Sequence, residues 1–224
     1  MESLGDKSLC LACGTPSHLP LCKKCREKLL AIDFSEARCC KCGRKLLSEI
    51  KICRECRENT EETYIDSCFP LFLYANWKKN LLSKWKIQGD LILTSLFADC
   101  IAKVIQAKGW ENIPIVPVPP RPFKFYTVGY DQIDSLANAL HFTYRFKICK
   151  VLKRISQTEQ KTLSLKERIE NTQKGYVLKK RLNSNSAILI DDIITTGATT
   201  RACAKLLKDS GVKTVYCISL FSAS

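Results

Sequence analysis

An α/β domain with a largely parallel sheet, preceded by a small cysteine-rich metal module, is the architecture that this 224-residue sequence predicts. Three observations carry it. Four Cys-x-x-Cys pairs crowd the front of the chain, and apolar strand patterns alternate with helical ones through the remainder. Near the end stands a strand–loop–helix unit, residues 188 to 199, with two adjacent carboxylates and a threonine–glycine loop. In an open parallel sheet, ligands bind where a strand's carboxyl end leads into a helix.

The front pairs are Cys10/Cys13, Cys22/Cys25, Cys39/Cys42 and Cys53/Cys56. Two thiolates from one tight turn bind a single tetrahedral ion, and two such pairs complete a structural zinc site. Spacing leaves the pairing open: sequential pairing, a cross-braced arrangement and a single occupied site all satisfy it. Cys40 is spare, and Cys68, Cys100, Cys149, Cys203 and Cys217 read as small apolar residues. Neither His18 nor His141 has a ligand spacing. Residues 1 to 60 hold few large apolar side chains, so metal must replace the missing core; the cysteine-rich module is expected over residues 1 to 62. A second domain is expected over residues 63 to 224.

After a polar link, Asn59 to Thr63, a helical region runs from Tyr74 to Lys108. Trp77, Leu81, Leu82 and Trp85 recur at helical spacing, Gln88-Gly89 breaks the pattern, and Leu96, Ile101 and Ile105 resume it. Lys86 stands at the break, positioned to face a pocket. Ile113 to Pro120 reads as a strand punctuated by prolines, followed by the rigid Pro120-Arg121-Pro122. A helix follows over Asp131 to His141, and Ser164-Leu165-Lys166-Glu167 is a capping box opening another. Tyr176 to Leu182 and Thr214 to Leu220 read as further strands.

The last unit carries the chemistry. Ile188, Leu189 and Ile190 form a buried strand that ends on Asp191 and Asp192. Ile193 and Ile194 lead into Thr195, Thr196, Gly197, Ala198 and Thr199. Behind them Ala202, Cys203, Leu206 and Leu207 mark one helix face, with Gly211 as the stop. Gly197 permits a tight turn with convergent N–H groups, the threonines add hydroxyl donors, and the helix dipole favours an anion. Two carboxylates would repel that anion if they faced it. One step away they serve as acceptors for vicinal hydroxyls, or as partners of a divalent cation. Phosphate on one side and hydroxyl acceptors on the other describe a site for a 5-phosphorylated ribose. No P-loop or dinucleotide fingerprint competes.

Composition bounds the setting. The N-terminus lacks a signal-peptide pattern, and no apolar run approaches the roughly 20 residues that span a bilayer. A cytoplasmic protein with reduced or metal-bound cysteines is therefore expected. The net charge of +14 is uneven: residues 1 to 62 carry 12 Lys/Arg against 10 Asp/Glu, and residues 63 to 224 carry 24 against 12. A basic second domain suits polyphosphate ligands or nucleic acid, and it permits peripheral association with anionic headgroups.

The run Asp191-Asp192-Ile193-Ile194-Thr195-Thr196-Gly197-Ala198-Thr199 resembles the phosphoribosyl pyrophosphate (PRPP) loop of type I phosphoribosyltransferases. The leading cysteine pairs, Lys86 with Gly89, Pro117-Val118-Pro119, Gly129-Tyr130-Asp131-Gln132 and the Lys153-Arg154…Gln160…Arg168…Asn171 stretch narrow the likeness to the ComF family of bacterial competence proteins, in which a zinc finger precedes a phosphoribosyltransferase-like domain. That resemblance implies structural Zn²⁺ on the cysteines and a PRPP site with Mg²⁺. Asp191 and Asp192 would then hold the ribose hydroxyls and Thr195 to Thr199 the 5-phosphate, with Lys86, Arg154, Gln160, Arg168 and Asn171 around them. It also implies a role in natural transformation, with incoming single-stranded DNA and DNA-uptake or recombination proteins as partners. The other reading is an active phosphoribosyltransferase that moves ribose 5-phosphate from PRPP onto a base. One stretch departs from the family pattern: Val128-Gly129-Tyr130-Asp131-Gln132 replaces the usual Arg-Gly-Phe-Asn-Gln.

Overall fold

The computed structural model describes residues 8–58, 64–88, 90–120, 131–155, 172–173 and 175–223. Its centre is a four-stranded, wholly parallel sheet in which β3 (Ser67–Leu73), β9 (Thr214–Ser222), β8 (Ser186–Ile194) and β4 (Ile115–Pro117) lie side by side. Helices cover both faces, so the interior strands are apolar on both sides rather than alternating.

Sidedness follows from the period of two along a strand. On β8, Ile188 and Ile190 point into a core built by α3 (Trp77–Gln88), α4 (Leu91–Ala107) and α5 (Gln132–Tyr144). Ala187 and Leu189 point to the other side, against α6 (Ala198–Asp209) through Cys203, Leu206 and Leu207. α4 is the most apolar helix, with Phe97, Cys100, Ile101 and Val104 all fully buried. The break before it is sharp because the Asp90 carboxylate caps the new helix, accepting from Ile92 N at 2.9 Å and Leu93 N at 3.1 Å. The Trp85 indole N–H donates to Thr94 Oγ1 at 2.8 Å across that break and locks α3 onto α4. The helical aromatics are thus core, as their spacing predicts.

Two elements differ from the sequence expectation. β3 is absent from it, because Ser67-Cys68-Phe69-Pro70-Leu71-Phe72-Leu73 carries no alternation; it is a sheet strand with a buried centre and a proline. Pro70 is tolerated because β3 is an edge strand, paired only with β9. The expected strand over Tyr176 to Leu182 is shorter, β7 (Tyr176–Leu178), and lies outside the main sheet. It forms a separate antiparallel sheet between β5 (Leu152–Arg154) and β6 (Thr172–Gln173). The capping box at Ser164 to Glu167 and the Pro120-Arg121-Pro122 loop beyond Pro120 fall outside the described residues.

The front of the chain comprises two cysteine units. The first holds a short ribbon, β1 (Ser8–Leu9) with β2 (Pro16–Ser17), then α1 (Lys23–Leu30). Leu21 and Leu29 join the main core beside α4, and Arg26 reaches Asp99 at 3.5 Å. The second unit, ending in α2 (Arg54–Glu58), covers the free edge of β3. The Arg38 guanidinium donates to Gly43 O at 3.1 Å and Pro70 O at 2.9 Å, and lies 4.3 Å over the Phe69 ring. The sheet edge is thereby covered by the second cysteine unit, with the Arg38 guanidinium bonded to it. Among the described residues no helix is long and apolar enough to cross a membrane.

Candidate functional site: an acidic strand end beside a threonine loop

The fold decides the cysteine pairing that spacing left open. Cys10, Cys13, Cys22 and Cys25 form one group and Cys39, Cys42, Cys53 and Cys56 another, each with its sulfurs within 4.8 Å of one another. The pairing is sequential. The two groups share a design in which a backbone amide donates to a ligand sulfur: Cys22 N to Cys10 Sγ at 3.3 Å, and Cys53 N to Cys39 Sγ at 3.4 Å. Such bonds stabilise thiolate, the form that binds metal. Hydrogen bonds, that of the Thr15 hydroxyl foremost, draw the Cys13 thiol down to about 6, while burial and the neighbouring thiols push Cys25 up to about 12. Four thiols packed this closely cannot all ionise without a cation among them. Both quartets could hold zinc with four thiolate ligands. Cys40 is exposed and outside both groups.

At the carboxyl end of the sheet, β8 runs through the acidic pair instead of stopping before it. Asp191 continues the Ala187–Leu189 side and Asp192 the Ile188–Ile190 side, so the two carboxylates leave the strand towards opposite faces. Asp192, only 8% exposed, receives Lys86 Nζ at 2.8 Å and Gln132 Nε2 at 2.5 Å, both on Oδ2. Lys86 comes from the last turn of α3 and Gln132 from the first of α5. Asp191 is half-buried, and burial together with the Asp192 charge raises its carboxyl to about 7. Its Oδ1 accepts the Asp192 backbone N–H at 2.8 Å.

Arg154, on β5, lies on the Asp191 side, its guanidinium 5.3 Å from the centre of the Tyr176 ring. Tyr176 is buried beside the Thr199 side chain, so the small sheet packs against the threonine loop. Ile193 and Ile194 complete β8 and are half-buried, Thr195 and Thr196 are exposed or nearly so, and Ala198 and Thr199 open α6. Gly197 is the N-cap with φ +70°, the left-handed turn that glycine adopts at no cost. The loop is braced from behind: Arg201 Nη1 donates to Thr196 O at 2.8 Å, and Thr200 Oγ1 donates to Gly197 O at 3.0 Å.

A cleft of about 170 Å³ opens on the far side of the loop. Its walls are the second cysteine unit, through Lys41 and Arg44, and the loop itself, through Thr195, Thr196 and Arg201; the acidic pair does not line it.

Gln132 and Arg201 are the site residues that sequence reasoning passed over. Arg201 had a signal, one helical turn past Gly197 at the positive helix end, where a cation needs a reason to sit. Gln132 belongs to the Gly-Tyr-Asp-Gln run, but nothing near it in the chain indicates its partner. The acid at position 131 also finds its reason here. Asp131 caps α5 by accepting from Asp134 N at 2.8 Å, a task for which aspartate and asparagine are nearly equivalent. Gln160, Arg168, Asn171 and the Val128-Gly129-Tyr130 stretch lie outside the described residues.

No protein-family model matches the chain. Three curated proteins are similar along most of their lengths. Competence protein ComFC of Streptococcus pneumoniae is 29% identical over 203 residues, covering 89% of this chain and 86% of the relative. Competence protein F of Haemophilus influenzae is 26% identical over 219 residues, with 92% and 93% covered. Competence protein ComFC of Bacillus subtilis is 27% identical over 200 residues, with 85% and 79% covered. These three relatives, each similar over most of its length, support an assignment to the ComF family of competence proteins.

Proposed function

We propose that this protein is a competence factor that binds PRPP or a related ribose 5-phosphate and helps to handle incoming single-stranded DNA. The names of the three relatives support the competence role. The observation that carries the ligand is the join at the end of β8, where a charge-paired Asp192 stands a few residues before a glycine-turned threonine loop at a helix N-terminus. A carboxylate accepts sugar hydroxyls, and the loop amides with the helix dipole receive the phosphate. Mg²⁺ would accompany the pyrophosphate of PRPP and neutralise part of its charge. Arg154 and Lys86 are the cations on the two sides of the acidic pair, available to the ligand's remaining oxygens. The basic surface of residues 63 to 224 supplies the attraction for a DNA strand.

A transferase reading shares the same pocket. Its support is the acidic strand end itself, the place where a developing positive charge on a ribose carbon would be stabilised. The two readings part at the product: the transferase releases pyrophosphate only when a specific free base is added.

The test is a thermal shift. PRPP at millimolar concentration with Mg²⁺ raises the melting temperature of the wild type by mass action. Asp191→Ala with Asp192→Ala removes that rise while the protein stays folded. An unchanged wild-type melting curve counts against the assignment.

A further inference from the structure

We infer that Gln132 is the positioning residue of the ribose site, an inference that rests on the proposed PRPP reading. It orients Asp192 so that one carboxylate oxygen is fixed by the protein and the other is left for a sugar hydroxyl. Oδ2 carries both the Gln132 amide at 2.5 Å and the Lys86 ammonium at 2.8 Å. With both donors gathered on Oδ2, the side chain presents Oδ1 as a directed acceptor. Gln132 is 4% exposed and sits in the first turn of a helix whose capping residue, Asp131, is also buried. Its amide is therefore held by the helix entry and cannot swing away, whereas Lys86 is a flexible stem with a third of its side chain exposed. The rigid partner sets direction, and the mobile one supplies charge.

A neutral donor is also the suitable choice on electrostatic grounds. Asp131, Asp191 and Asp192 already gather three carboxylates around one lysine. A second buried cation would pair fully with Asp192 and compete with the ligand, and an acid would repel it. An amide orients the carboxylate and leaves its charge in place. The inference adds a specificity claim to the proposed site: recognition of the sugar hydroxyl depends on Gln132, and recognition of the phosphate does not, because the phosphate loop is built from α6 and braced by Arg201 and Thr200.

Calorimetric titration with three kinds of probe tests this on the full-length protein: ribose 5-phosphate, its 2-deoxy and 3-deoxy analogues, and inorganic phosphate. Wild type is expected to prefer ribose 5-phosphate over at least one deoxy analogue by about 10- to 100-fold, the range for a charge-assisted hydrogen bond. Gln132→Met, which keeps the length and leaves no new buried polar atom, should shrink that preference to about threefold or less. Its affinity for inorganic phosphate should stay within about twofold of wild type. Should Gln132→Met fail to fold, Gln132→Leu, also uncharged and without a donor, is read in the same way, and the preference must again collapse. A variant that keeps the wild-type preference overturns the inference, as does an equal loss for all the probes, which marks a merely structural residue. Wild type that binds phosphate without any preference for the ribose hydroxyls sinks instead the site assignment on which the inference rests.

Discussion

Asp191 and Asp192 are consecutive in the chain yet serve opposite faces of the sheet, Asp192 closed by Lys86 at 2.8 Å and Asp191 turned towards Cys203, Tyr176 and Arg154. One carboxylate is paired with an ammonium group. The other, without an equally close cation among the described residues, is pushed up to about 7 by burial and by its neighbour's charge.

That difference makes stability depend on pH in a defined direction. The folded protein holds the Asp191 proton up to about 7, whereas the unfolded chain releases it near the ordinary value of 3.8. The stabilising contribution is complete below about pH 4 and is lost as pH rises through 7. Asp191→Asn removes the penalty, so the variant should be more stable than wild type at pH 8, by on the order of 2 kcal/mol, and nearly equal to it at pH 4. Urea unfolding at the two pH values checks this. Equal differences at both would mean that Asp191 ionises freely in the fold.

Purified under reducing conditions, the chain should carry two zinc ions, one per cysteine quartet. Cys22→Ser and Cys53→Ser should each lower the content from two to about one, read by metal analysis. The consequences for stability should differ. Cys22→Ser frees Leu21 and Leu29 from the main core and lowers the melting temperature of the whole protein. Cys53→Ser disturbs a smaller cluster built around Cys39, Leu46 and Cys53, and should leave most of the melting transition in place.

Gly14 and Gly43 provide a matched pair for measuring how firmly the second unit is seated. Both adopt φ +71°, so alanine costs each about 1 kcal/mol of backbone strain. A Cβ at Gly14 meets nothing within 4 Å, but at Gly43 it would stand 2.1 Å from Cys68 O and 2.4 Å from Pro70 Cδ. Gly43→Ala should therefore cost at least about 2 kcal/mol more than Gly14→Ala or displace the unit from β3. Denaturation midpoints and amide exchange along Ser67–Leu73 read the two outcomes. Equal costs would show that the knuckle is not pressed on the sheet.

Single-stranded DNA binding, if it follows the charge, should be tolerant of sequence and sensitive to salt. Lys179, Lys180 and Arg181 form an exposed basic run after β7. Reversing all three should weaken binding and flatten the log–log salt plot by roughly 0.7 for each phosphate no longer neutralised. Fluorescence anisotropy over a salt series measures the slope. Full wild-type affinity in the triple variant would remove this run from the DNA surface.

Elements with a local signal are legible in the chain alone. Four Cys-x-x-Cys pairs, the aromatic spacing from Trp77 to Trp85, the helix starting at Asp131 and the β8–loop–α6 unit each depend on neighbours within a few turns, and each is where spacing places it. Features that depend on distant partners were settled only by the folded arrangement. β3 is a strand because β9 pairs with it along Ser67 to Leu73, and nothing within those seven residues announces it. The sequential cysteine pairing is a matter of which turns meet in space, and spacing permits the alternatives. Gln132 meets Asp192 across 60 positions, an encounter made only when α5 docks on the sheet end. The two aspartates look equivalent in the sequence. The pleat sends them to opposite faces, and the helices that pack there give one a lysine while burial leaves the other holding its proton.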